Sequence, residues 1–178
     1  MPSELYEQIV SQRGKLENLM NKLPGFKGYH EKQARRTADR MLREHLASEI
    51  ERHITRFGRI QNELLDGGKG LKYMSRAREV KSKLQMYHDK VATAAPKYSG
   101  MFEEIKITED TLDRIYAFDE AQLRYILQFD TVMDQLAAAV DSGEGIEEAM
   151  DAVYDVAAEA ADAFDLRDDE ITNIGKMS

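Results

Sequence analysis

Apolar residues recur every three or four positions along most of this chain, and no stretch alternates with a period of two over the length of a strand. This spacing predicts about five helices, near residues 3–22, 30–66, 71–95, 109–141 and 146–164. In the second and the fourth predicted helices, the spacing of the apolar positions is close to the roughly 3.5-residue repeat of coiled coils. We therefore expect an all-α fold, an elongated antiparallel helical bundle of about five helices with coiled-coil-like long helices.

Residues that begin or end helices lie at the predicted boundaries. Ser3 and Thr108 can act as N-caps, because a hydroxyl accepts a hydrogen bond from a free N–H group of the first turn. Glycines in the stretches 66–70 and 142–145 suit short turns between antiparallel helices. Gly14 lies inside the first predicted helix, where it indicates either close packing or a slight kink.

We expect one domain of residues 1–165, because a chain of 178 residues is long enough for a single hydrophobic core. The acidic residues 166–178 are expected to form a mobile tail. The connection 96–107 is too apolar for a solvated loop, so we expect its aromatic and aliphatic side chains to fold back onto the bundle.

Basic and acidic residues are unevenly distributed along the chain. Residues 27–90 carry 16 lysines and arginines against 9 acids, whereas residues 91–178 carry 6 against 21. Opposite charges on one chain attract each other, so mutual neutralisation within the fold is the favoured interpretation. The alternative is that the basic hairpin 27–90 binds nucleic acid or an anionic membrane surface.

The stretch 23–36 mixes glycines, aromatic residues and bases between the first two predicted helices. Bases near the positive end of a helix dipole can bind an anion. The candidates for an anion or nucleic-acid site are Lys27, Lys32, Arg35, Arg36, Arg40 and Arg43. A phosphate loop would follow a strand, however, and this stretch follows a helix. The favoured interpretation is a hinge in which Phe26 and Tyr29 hold the two helices together.

Polar residues interrupt the apolar stripes of the two longest predicted helices. His45, Glu49 and His53 recur every fourth residue in the second helix, and Asp119 lies in the stripe of the fourth. These four residues are candidate metal ligands, with His88 as a possible addition. His45 and His53 are about 12 Å apart along the helix axis, so one ion cannot bind both. A buried layer whose groups have partners across the bundle is the favoured interpretation.

The chain carries no motif typical of an enzyme. It has no cysteine and no Gly-x-Ser-x-Gly sequence, and the glycine-rich turn 67–70 lacks the Ser or Thr of a phosphate loop. We therefore expect a non-catalytic helical interaction or scaffold protein that needs no cofactor. Its expected partner is another helical protein or a second copy of the chain. A metal-binding bundle enzyme at the seam of His45, Glu49 and His53 is the remaining alternative.

The chain has neither a signal-peptide pattern nor the run of about 18 apolar residues that a membrane-spanning helix needs. We expect a cytoplasmic protein without a transmembrane segment.

Overall fold

The computed structural model describes residues 3–68, 70–93 and 106–177, of which the last three are described as backbone only. Six α-helices lie in these ranges: α1 (Glu4–Ser11), α2 (Leu16–Lys22), α3 (Arg35–Asp66), α4 (Met74–Ala92), α5 (Glu109–Ser142) and α6 (Ile146–Met177). Short 3₁₀ turns precede α3 and α4, at Lys32–Ala34 and Gly70–Tyr73. These ranges contain no strand, so the predicted all-α class is confirmed.

The four long helices form a four-sided bundle, with α3 packed against α4 and α5, and α6 packed against the same two helices. Two ion pairs between α3 and α5 each join residues 78 positions apart. Two ion pairs between α4 and α6 each join residues 75 positions apart. A constant offset means that the two helices of each pair run parallel. The bundle is therefore made of two antiparallel hairpins, α3–α4 and α5–α6, that lie side by side.

The apolar stripes predicted for the long helices face the core of this bundle. The seam residues Leu123, Ile126 and Phe129 of α5, for example, are at most 5% exposed. On α3, buried apolar residues recur every three or four positions from Ala38 to Leu64. Each helix buries one stripe because its neighbours cover one side of it. Most of the predicted core positions of these helices are buried, and a few are half-buried.

The first predicted helix, 3–22, is two helices in the structure. The backbone leaves the helical conformation after Ser11 and resumes it at Leu16. Gly14 lies in this break against α5, where an added Cβ atom would be 2.1 Å from the backbone nitrogen of Ala117. The glycine therefore permits close packing of the two backbones, and the helix breaks at the same place.

Other predicted boundaries are close to those observed. Ser3 and Thr108 cap α1 and α5, each accepting a backbone hydrogen bond at 3.2 Å. Gly143 ends α5 with a φ of 77°, in the left-handed region that glycine adopts without strain. α3 and α4 begin later than predicted, at Arg35 and Met74, because a 3₁₀ turn precedes each of them.

The predicted end of the third helix at residue 95 and most of the connection 96–107 lie outside the described residues. α4 is helical to Ala92. Ile107, at the described end of the connection, packs half-buried against the core as expected.

The last helix is longer than the sequence predicted. α6 continues to Met177, whereas we predicted a helix end at Phe164 and a separate tail from residue 166. Arg167 and Ile171 have no exposed surface, so the first turns of the expected tail belong to the bundle. The predicted helix end is wrong because the run of acids was interpreted as solvated chain, although the stripe of inward-facing residues continues through it.

Candidate functional site

Within the described ranges, the largest group of buried charges is centred on Arg167 of α6, which has no exposed surface. Its Nε atom donates a hydrogen bond to Asp119 of α5 at 2.6 Å. Its Nη2 atom donates to Asp39 of α3 at 2.8 Å and to the Tyr29 hydroxyl at 3.1 Å. Its Nη1 atom donates to Asp168 at 3.3 Å. One guanidinium group therefore connects three helices and the loop before α3.

A second buried arginine, Arg43 of α3, extends this group. Its Nε atom donates to Asp39 at 3.0 Å and its Nη2 atom to Asp168 at 3.1 Å. Its Nη1 atom donates to the backbone oxygens of Val91 and Thr93, at 3.3 and 3.2 Å. Arg43 thus supplies donors to carbonyl groups that the end of α4 leaves without helical partners. We define the Arg167 cluster as the following residues: Tyr29, Asp39, Arg43, Asp119, Arg167 and Asp168.

The loop between α2 and α3 positions Tyr29. Gly28 has a φ of 75°, and an added Cβ atom would be 2.5 Å from the Tyr116 hydroxyl. That hydroxyl accepts a hydrogen bond from the Tyr29 N–H group at 3.1 Å, and the Tyr29 carbonyl accepts one from Nε of Arg35 at 2.8 Å. The ring of Phe26 packs edge-on against Tyr29, with centroids 5.7 Å apart. The loop therefore acts as a fixed support that brings Tyr29 against α5.

Burial controls the ionisation of the cluster. It raises the pKa of Asp119 above the ordinary value of 3.8, although Arg167 opposes this effect. Burial also raises the pKa of Asp168, although Arg167 and Arg43 lower it. It raises the pKa of the Tyr29 hydroxyl, which donates a hydrogen bond to Asp119. Burial alone would lower the pKa of Arg167, but the surrounding carboxylates and the phenol raise it, so the guanidinium stays charged. The cluster places two guanidinium groups against three carboxyl groups, so each carboxyl group has a positive partner.

The cluster is closed to solvent at its centre. Asp119 and Arg167 have no exposed surface, while Arg43 and Asp168 are 5% and 8% exposed. A substrate could not reach the central carboxylate without separating α5 from α6. The arrangement can hold the helices and the loop in one register, which is the best-attested use of buried polar groups.

The polar residues predicted to form a layer on α3 are placed differently from one another. Glu49 is half-buried and accepts a hydrogen bond from Nη2 of Arg52, on the same helix, at 2.8 Å. His53 is fully buried, yet neither of its ring nitrogens has a hydrogen-bond partner in the described part of the chain. Its ring packs against Phe129 of α5, with centroids 5.4 Å apart. His45 is half-buried.

The structure does not bring the predicted metal ligands together. Asp119 of α5 has a partner across the bundle, as predicted for a buried layer, and this partner is Arg167 of α6. Nε2 of His88 lies 3.5 Å from Oε2 of Glu51. Within residues 3–68, 70–93 and 106–174, no three His, Asp or Glu side chains are grouped in a way that could hold an ion.

The six candidates for an anion site do not share one surface. Arg35 and Arg43 are buried and donate hydrogen bonds inside the protein. The remaining candidates are exposed around the start of α3: Lys27, Lys32, Arg36 and Arg40. Two of the six predicted residues therefore serve the fold.

Side chains of the basic hairpin pair with the acidic half of the chain. Four ion pairs cross between the two hairpins at 2.5–3.3 Å: Arg52–Asp130, Arg56–Asp134, Arg76–Asp151 and Lys90–Asp165. The Arg167 cluster adds two further pairs, Arg43–Asp168 and Arg167–Asp39. Mutual neutralisation within the fold, the interpretation that the sequence favoured, is observed for these residues.

Sequence reasoning missed Arg167 and Asp168 because it ended the last helix too early. A signal was present, since Phe164, Arg167 and Ile171 keep the three- and four-residue spacing of the α6 stripe. A charged residue at a stripe position should have suggested a buried partner, as it did for Asp119. The identity of that partner depends on which helices are neighbours, which the spacing does not reveal.

Comparisons with protein-family models, with characterised proteins and with solved structures find no match to this chain. No helix in the described ranges is long and apolar enough to cross a membrane. The observations that bear on function are therefore the closed cluster, the ion pairs between the hairpins and the exposed surface.

Proposed function

We propose that this protein is a non-catalytic helical interaction or scaffold protein. The observation that carries the proposal is the closure of the Arg167 cluster, whose central groups bond to one another and have no exposed surface. The two carboxyl groups of this cluster with raised pKa values bond to arginines that join the helices. Long helices held in this way offer extended faces to a partner helix.

The exposed surface supports a protein partner. Leu65 and Leu71, at the turn between α3 and α4, are 38% and 85% exposed, and Gly70 lies buried against Leu65. Covering a large apolar side chain completely contributes about 1.5–3 kcal/mol to association before its opposing terms. The proposed partner is another helical protein or a second copy of the chain. A cytoplasmic location stays a prediction from the sequence.

A photo-crosslinking residue at Leu71 tests the proposal in cells that express the full chain. We expect one discrete product that joins the chain to itself or to a single protein, because Leu71 is the most exposed large apolar residue in the described ranges. Ser82 is exposed on α4 and is the matched control, from which we expect no such product. Absence of a product at Leu71, together with a purified protein that sediments only as a monomer, would count against the proposal.

The alternative is binding of nucleic acid or an anionic membrane by exposed bases of the hairpin. It is supported by the exposure of Lys32 and Arg40 near the start of α3, the positive end of the helix dipole. Binding to a single-stranded oligonucleotide or to anionic vesicles should then appear at about 50 mM salt and weaken steeply as salt rises. Lys32→Glu combined with Arg40→Glu should weaken it. No binding at that salt concentration removes this alternative.

A further inference from the structure

The imidazole of His53 lies in the α3–α5 contact and makes no hydrogen bond to the described part of the chain. The residue has no exposed surface, and both Nδ1 and Nε2 lack a hydrogen bond within the described part of the chain. Buried polar groups of native proteins nearly always have partners. The neighbouring stripe positions of α3, Ile50 and Phe57, are apolar and equally buried. An apolar side chain would therefore fit the pattern better, and the histidine needs an explanation other than packing.

A carboxylate and a guanidinium lie next to this ring. Oδ1 of Asp130, on α5, is 3.7 Å from Nε2 of His53, and the Asp130 side chain is 42% exposed. The same oxygen is 3.3 Å from Nη2 of Arg52. While the imidazole is neutral, Asp130 therefore pairs with Arg52. A protonated imidazole would compete with Arg52 for that carboxylate from inside the core.

The charged and titratable groups around His53 come from the helices packed on α3. α3 itself contributes Glu49 and Arg52, and α5 contributes Asp130. From α4, Tyr87 stacks on the same Phe129 ring and stays neutral, because burial raises its pKa. The backbone of Ile126 on α5 also interacts with the ring and raises its pKa. Neither this group nor Asp130 at 3.7 Å makes a hydrogen bond to a ring nitrogen within the described part of the chain.

We propose that His53 is an acid-sensitive element of this bundle, whose protonation weakens the α3–α5 contact and loosens one hairpin from the other. A charged imidazolium in the core would lose its hydration without gaining full compensation. The inference goes beyond the proposed function, because it concerns a condition that changes the stability of the bundle and not what the bundle binds.

The direction of the pH effect follows from the surroundings. Burial lowers the pKa of His53 below the ordinary value of 6.5 and Arg52 lowers it further, whereas Asp130, Glu49 and the backbone of Ile126 raise it. The unfolded chain therefore binds a proton at a higher pH than the folded one. The contribution of the neutral ring to stability is fully present above pH 6.5 and is lost as the pH falls towards the folded-state pKa.

Urea unfolding of the full chain at pH 7.5 and pH 5.0 tests the proposal. If the folded ring stays neutral, protonation of His53 in the unfolded chain should raise the unfolding constant by up to about 30-fold as the pH falls from 7.5 to 5.0. His53→Leu keeps a similar volume and should lose this part of the acid response. His45→Gln is the matched control, since His45 is half-buried on the same helix, and it should respond as the wild type does. An acid response that His53→Leu shares in full would overturn the proposal.

An NMR titration of the wild-type histidine rings gives a second readout, which does not require a variant to fold. The His53 ring is assigned through its proximity to Phe129, whose centroid is 5.4 Å away. We expect this ring to stay neutral until the pH is below 6.5. Titration of the assigned ring at or above that value would overturn the proposal.

Discussion

Two fully buried polar groups lie against the same helix, α5, and their surroundings differ in one respect. Arg167 has hydrogen-bond acceptors on three helices and a loop. His53 has no exposed surface either, but its two nitrogens have no hydrogen-bond partner in the described chain. Equal burial therefore has opposite consequences, because a satisfied polar group fixes its neighbours whereas an unsatisfied one only loses its hydration. The cluster should hold the hairpins together, and His53 should be a weak point between them.

The largest effect that would test this comparison is expected for Arg167→Met. Removing the guanidinium leaves Asp119 and its neighbouring carboxyl groups without their main partner, and breaking a buried ion pair in this way typically costs about 3–5 kcal/mol. The measurement is the free energy of unfolding in urea at pH 7.5. Arg56→Met is the matched control, because Arg56 also pairs across the hairpins but is 28% exposed beside an exposed Asp134. That variant should lose at most about 1 kcal/mol. Equal losses would mean that burial of the pair has no importance.

A smaller loss is expected for Asp119→Asn. The amide resembles the protonated carboxyl group that burial favours, so the variant should lose about 1–3 kcal/mol through its weakened bond to Arg167. The loss should also depend on pH. A carboxyl group with a raised folded-state pKa contributes stability that is fully present below its ordinary value of 3.8 and is lost as the pH rises through the raised value. The deficit of Asp119→Asn relative to the wild type should therefore be larger at pH 4 than at pH 7, and a deficit that grows with pH would contradict the raised pKa.

Glu49→Ala should have the smallest effect of the three losses. Glu49 pairs with Arg52 on its own helix, and the two side chains are 28% and 52% exposed. Such pairs contribute about 0.2–1 kcal/mol, and urea unfolding at pH 7.5 measures the change. A loss of several kcal/mol would instead place Glu49 in a buried polar layer, as its stripe position alone suggested.

The sequence predicted the parts of this fold that depend on local spacing. Helix periodicity is repeated over many residues, so the stripes of α3 and α5 and the turn at Gly143 were found correctly. The break at Gly14 was not placed, because it depends on contact with the backbone of α5. The parallel direction of α3 and α5 likewise follows from how the two hairpins associate.

The candidate site was predicted only in part, for the same reason. Asp119 was singled out because it interrupts an apolar stripe, but its partner Arg167 lies 48 positions away in a segment interpreted as a tail. His53 was singled out by the same rule and has no hydrogen bond to the part of the chain that the structure describes. A stripe position therefore identifies a buried polar residue without showing whether its hydrogen bonds are satisfied, because the partners come from other helices.

In this bundle, partners rather than burial decide whether a buried polar group stabilises the fold, and the free energy of unfolding of His53→Leu at pH 7.5 tests this most directly. Leucine removes a donor and an acceptor that make no hydrogen bond within the described residues, while it keeps a similar volume. We therefore predict a gain in stability of about 1 kcal/mol relative to the wild type. A loss of several kcal/mol, comparable with that of Arg167→Met, would contradict the account.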